Sequence, residues 1–215
     1  MTAPEGSVPK PSDCVLWLLD VVTQTKEMLV DDEGIGADVP PLVAAFDADD
    51  VPIGYAQAVS MEADRRQQFA RLTKVAAMMR AGWHASSLAF VLETYLNLGA
   101  HEEDLTLAER FANGDKDVVE AISIVWASDD GRRTVVSLPY VVGLGRRVTW
   151  EYDLREMAVG EETQGAYPAA LADIFRKVRF LSRHPAMSRA HHVAEIAGEI
   201  ADGGFYVFFD GDETV

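Results

Sequence analysis

Disulfides are excluded at once: the chain of 215 residues carries one cysteine, Cys14. A protein of this length can hold itself together by burial without covalent staples, so a reducing, cytoplasmic setting is the expectation. Long apolar runs are also missing. The first strongly apolar stretch, Val15 to Val22, is broken by Asp20, falls far short of the roughly 20 residues a spanning helix needs, and lacks the basic lead and cleavage site of a signal peptide. Positive charge is scarce, with 19 Lys and Arg against 35 Asp and Glu and a formal net charge of −16. Nucleic acids and anionic membranes both reward neutralisation by cations, so neither is an expected direct partner.

Recognisable catalytic signatures are lacking too. No serine sits in a G-x-S-x-G elbow and no P-loop occurs. Gly143-Leu144-Gly145 lacks the third glycine and the following helix of a dinucleotide fingerprint, and a turn between strands explains it. Cys14 lies beside apolar residues, where a buried, inert thiol is the default. The aspartates at 47, 49, 50, 210 and 212 do not have the ligand spacing of an EF-hand.

What is present is an ordinary globular composition, 48% apolar and 25% charged, in a chain long enough to bury roughly 70% of its unfolded surface. Residues 1–12, with Pro4, Pro9 and Pro11, read as a flexible leader. Residues 13–209 read as one globular domain and 210–215 as an acidic tail. Helical spacing is expected from Ser12 or Asp13 to about Val30, from Met61 to Ala81, from Leu107 to Ala112, from Pro168 to His184 and from Ser188 to Ala201. Thr106 and Glu109 have capping-box spacing, and Pro185 ends the fourth helix.

Strands are expected at Leu42–Phe46, Ile53–Val59, Ser87–Leu96, Val118–Ala127, Arg132–Val142, Arg146–Tyr152 and Phe205–Phe209. Ser128-Asp129-Asp130-Gly131 supplies a hairpin turn. Pro139 points to an edge strand or a bulge. The elements do not alternate strictly, which favours an α+β fold over a doubly wound one. Its mixed, largely antiparallel sheet would hold a hairpin and a three-stranded meander, with amphipathic helices packed on it.

Charge is distributed unevenly. Residues 1–60 hold eleven acids against Lys10 and Lys26, whereas no acid occurs from Ile174 to Ala194, where Arg176, Lys177, Arg179, Arg183 and Arg189 fall. Arg176, Arg179 and Arg183 would share one side of the fourth helix. These cations have two destinations: the acidic N-terminal region of this chain or of a second copy, or an external acidic or phosphate-bearing partner. His191, His192 and Glu195, with His184 nearby, form the most metal-like cluster, although the zincin spacing is absent. Glu93, inside an otherwise apolar strand, implies a raised pKa with an acid or base role, a salt bridge to an arginine such as Arg80, or simple exposure on an outer face.

The resulting expectation is a non-enzymatic accessory or protein-binding protein without a cofactor, docking electrostatically or self-associating. Abundant alanine and a preference for arginine over lysine suggest a phage or mobile element of a GC-rich bacterium as its source. A metal-dependent enzyme built on His191, His192 and Glu195, and an acidic inhibitor that imitates nucleic acid, are the alternatives.

Overall fold

Strand residues that are apolar on both pleats must be covered on both faces, and the longest strands here are of that kind. The computed structural model describes residues 13–59, 64–98, 106–150 and 166–209. In chain order these form α1 (Asp13–Glu33), β1 (Leu42–Phe46), β2 (Pro52–Ala58), α2 (Arg65–Gly82), β3 (Ser87–Asn97), α3 (Leu107–Ala112), β4 (Val118–Ser128), β5 (Arg133–Val142), β6 (Val148–Trp150), α4 (Ala166–Lys177), α5 (Arg189–Asp202) and β7 (Phe205–Phe209). The expected leader, the tail, Ser60 to Ala63 and the end of the sixth strand lie outside the described residues.

The strands make one seven-stranded sheet in the order β6-β5-β4-β3-β1-β2-β7, and every pairing is antiparallel rather than mixed. The fold is α+β. The expected hairpin and meander are present, and β3 joins them by pairing with β1 on one side and β4 on the other. On one face Val43, Leu88, Phe90, Leu92, Val125 and Ala127 pack under α2, α4 and α5. On the other, Phe46, Ala89, Val91, Ile122, Ile124 and Trp126 pack under α1. The capping box at Thr106 forms as its spacing implies.

Two expectations are corrected. Pro139 is not on an edge strand, because β5 lies between β4 and β6. Its nitrogen points away from β4, since the Ser128 N–H bonds the Arg132 carbonyl and alternate residues from there pair with β4. The fourth helix ends at Lys177 instead of His184. Beyond it the chain turns across the end of α2, where the Leu181 N–H donates to the Ala81 carbonyl at 2.8 Å. That carbonyl belongs to the last turn of α2 and has no partner within its own helix. Phe180 follows it down, stacking on His84 at 4.6 Å with the Arg80 guanidinium 4.3 Å over its ring.

Strand β7 approaches β2 so closely that Gly54 is required between them. A Cβ at Gly54 would lie 2.3 Å from the Phe208 carbonyl oxygen and 2.7 Å from Phe209 Cα. Both are backbone atoms that cannot swing aside. Gly54→Ala is therefore expected to lower stability by about 1–3 kcal/mol, the range for overpacking, whereas Gly36→Ala, with open space around it, changes little. Urea midpoints of the two variants measured side by side test this.

Candidate functional site

Two neighbouring features at one end of the sheet concentrate chemistry. The first is a buried ion pair beneath α1. Lys26 follows Val15, Leu19 and Val22 along the buried stripe of that helix and is only 1% exposed. Its ammonium donates to Glu93 Oε1 at 2.8 Å and to the Ala37 carbonyl at 2.6 Å, and lies 4.6 Å from the centre of the Tyr140 ring. The Val39 N–H donates to Glu93 Oε2 at 2.6 Å. Glu93 thus pairs with Lys26 and not with Arg80, which instead reaches Asp129 at 3.3 Å.

Asp38 and Glu120 complete an acidic group with Glu93, one carboxylate oxygen of each lying within 4.8 Å of the others. Burial, offset by the Lys26 ammonium and the Val39 N–H, holds Glu93 above the ordinary glutamate range. Burial does the same to Glu120, where attraction to Lys26 opposes the shift and repulsion from Asp38 adds to it. Both oxygens of Glu93 are engaged by the protein itself, so its carboxylate serves as the counterion of a buried lysine rather than as a free base.

The second feature is a groove on the opposite, helix-covered side. Its upper part, about 410 Å³, lies between the start of α2 and the start of α4 and is lined by Arg65, Arg66, Phe69, Tyr167 and Thr94, with Glu93 also among the lining residues. Its lower part, about 560 Å³, continues between the same helices past Thr73, Ala77 and Ala170 to Lys177. Phe69 and Ala166 belong to both parts, and Phe69 meets Tyr167 edge-to-face at 4.9 Å.

Asp64 caps α2 by accepting from the Arg66 N–H, yet the two residues that follow it are cations in a first turn, where the helix dipole disfavours them. Neither arginine has an ion-pair partner among the described residues. From Arg65 to Leu92 the chain has no acid at all, and Arg71, Lys74 and Arg80 add to the positive charge.

The basic tract belongs to this same layer. Arg176 and Lys177 both pair with Asp173 on their own helix, while Arg179, Arg183 and Arg189 are exposed. Because the helix stops at Lys177, Arg176, Arg179 and Arg183 do not form the expected helical row. They also do not neutralise α1: that helix packs on one face of the sheet and α4 and α5 on the other.

The histidines separate. His192 is buried with Nδ1 3.9 Å from Glu195, His191 next to it is exposed, and Nδ1 of His184 accepts from the Ala186 N–H. Among the described residues the three-membered group with metal-ligand spacing is Asp38, Glu93 and Glu120, not His191, His192 and Glu195.

Sequence reasoning missed Lys26, Asp38, Glu120 and the placement of Arg65, Arg66 and Tyr167 along one groove. One signal for the first was available: a lysine on the apolar stripe of a helix and a glutamate in the middle of an apolar strand are complementary defects. No family model, curated protein or solved structure matches the chain.

Removing one partner of a buried pair strands the other. Lys26→Met is expected to cost about 3–5 kcal/mol, and Lys26→Met with Glu93→Leu less than the sum of the single changes, as read from a denaturation cycle. A carboxyl with a raised folded pKa contributes stability that is full below its unfolded value and is lost as pH rises through the folded one. Glu120→Gln should therefore match the parent protein in stability below pH about 4 and become the more stable form as pH rises beyond the ordinary glutamate value of about 4.3. Thermal midpoints across pH 3 to 8 (a range of about five units) show whether that gap opens.

Proposed function

We propose that this is a non-enzymatic, protein-binding accessory protein that holds an acidic, amphipathic segment of its partner in the groove between α2 and α4. The observation that carries this reading is the combination in one groove of arginines with no ion-pair partner among the described residues at one end and apolar walls along its length, in a chain of net charge −16. Apolar side chains of the partner fit the stretch past Phe69, Ala77 and Ala170. Its carboxylates meet Arg65 and Arg66 at the upper end, with Arg179 and Arg183 exposed beyond the lower end. Planar guanidinium groups suit bidentate recognition of carboxylates. A local positive field inside an acidic molecule supplies orientation as well as attraction, because the remainder of the surface repels the same partner.

A labelled, glutamate-rich amphipathic peptide is expected to bind with an affinity that falls steeply with added salt, and Arg65→Glu with Arg66→Glu should weaken it about tenfold or more, a loss of 1.4 kcal/mol or above. Fluorescence anisotropy reads both. Binding of the glutamate-rich peptide left undiminished by Arg65→Glu with Arg66→Glu, or turnover of a hydrolase or transferase substrate abolished by one point substitution, would refute the proposal.

A further inference from the structure

Among the described residues β6, over Val148–Trp150, stands at one edge of the sheet. Strand β7 at the other edge, Phe205-Tyr206-Val207-Phe208-Phe209, has no charged residue, no proline and no glycine, the usual devices that blunt an edge. Tyr206 is 59% exposed, Phe208 49% and Phe209 37%.

The direction of its free backbone groups follows from its neighbours. The Val59 N–H donates to the Gly204 carbonyl, while the Ala58 N–H donates to the Pro41 carbonyl on the β1 side. Hydrogen-bonded pairs alternate along antiparallel strands. In the register that sets Gln57 against Tyr206 and Tyr55 against Phe208, Tyr206 and Phe208 therefore bond to β2. Phe205, Val207 and Phe209 turn their N–H and C=O groups outward.

The surroundings of this edge select an occupant. On the α1 side a recess of about 360 Å³ is lined by Trp17, Val51, Tyr55 and Phe208. Asp13 and Asp20 stand four and three residues from Trp17 on α1, the spacing that puts them on its side of the helix, and both are exposed. Asp47, Asp49 and Asp50 occupy the turn that leads into Val51, and Asp210, Asp212 and Glu213 follow Phe209 in the sequence. Between residues 13 and 59 the one Lys or Arg is the buried Lys26, and 203–209 contain none.

We infer that β7 is an acceptor edge for an extended segment of a partner protein in which apolar residues alternate with Lys or Arg, added as an eighth strand. Main-chain bonds from Phe205, Val207 and Phe209 supply affinity, and the acidic surround supplies selectivity, as in other strand additions. A second copy of this chain is disfavoured by the same charges, since pairing β7 with β7 would bring like-charged surrounds together. The inference stands apart from the groove reading, because it uses the other end of the sheet and a partner of opposite charge.

The probes are a labelled peptide alternating valine and lysine and its valine–glutamate counterpart, tested on the full chain. In the free protein the Val207 amide should exchange rapidly while those of Tyr206 and Phe208 are protected, and the lysine peptide should slow exchange at Val207. Val207→Pro removes an outward N–H at a position where an edge strand tolerates proline. It should weaken the lysine peptide about tenfold or more, leaving Tyr206 and Phe208 protected and the groove peptide bound. Arg65→Glu with Arg66→Glu should do the reverse.

Undiminished binding by a still-folded Val207→Pro variant overturns the inference. So does a glutamate peptide whose binding Val207→Pro weakens equally, protection of Val207 in the free monomer, or a dimer in sedimentation that Val207→Pro dissolves. Should Val207→Pro not fold, Val207→Lys, which keeps the backbone and adds a charge at the edge, is expected to weaken the lysine peptide while leaving Tyr206 and Phe208 protected. Unchanged binding by that variant counts against the acceptor edge in the same way.

Discussion

Everything in this architecture depends on the central strands being apolar on both pleats. β3 and β4 are paired along eleven residues of each, and along most of that length the side chains above and below the sheet are both buried. Such a pair cannot leave one face to water without losing roughly 25 cal/mol for each Å² exposed. The chain answers with α2, α4 and α5 on one face and α1 on the other. The asymmetry between those layers determines where the surface remains available: the seam between α2 and α4, and the part of the sheet beyond the reach of α1.

Lys26 shows how strict that covering is. A helix laid over this face of the sheet has to accept whatever its stripe contains, and here the stripe contains an ammonium group. Burial without a partner would cost several kcal/mol. Glu93, the Ala37 carbonyl and the Tyr140 ring surround it instead, while Val39 holds the second oxygen of Glu93. The loop between α1 and β1 is thereby tied to the middle of the sheet by a buried charge.

The element order and most boundaries were legible because each element carries a local signal: a two-residue period in β3, a capping box at α3, an Asp-Asp-Gly turn between β4 and β5. The places where reading failed have non-local causes. The fourth helix keeps its apolar period past Lys177, but the orphan carbonyl of Ala81, more than ninety residues earlier, takes the Leu181 N–H and draws the chain away. Charge could be counted along the sequence, yet which face of the sheet it would occupy could not. The acids of α1 and the cations of α4 and the following turn are complementary in the sequence, and the sheet keeps them on opposite sides. The groove was illegible for a similar reason. Arg65, Phe69 and Tyr167 are ordinary residues until α4 is placed beside α2.

The segment between α4 and α5 illustrates a different economy. It is fastened to α2 by a main-chain bond from Leu181 and by the stacked ring of Phe180, and Val178 packs on the core while Ser188 caps α5. Arg179 and Arg183 are exposed and have little part in fixing that path. Drift in those positions can retune what this side of the molecule attracts while the scaffold beneath it stays the same.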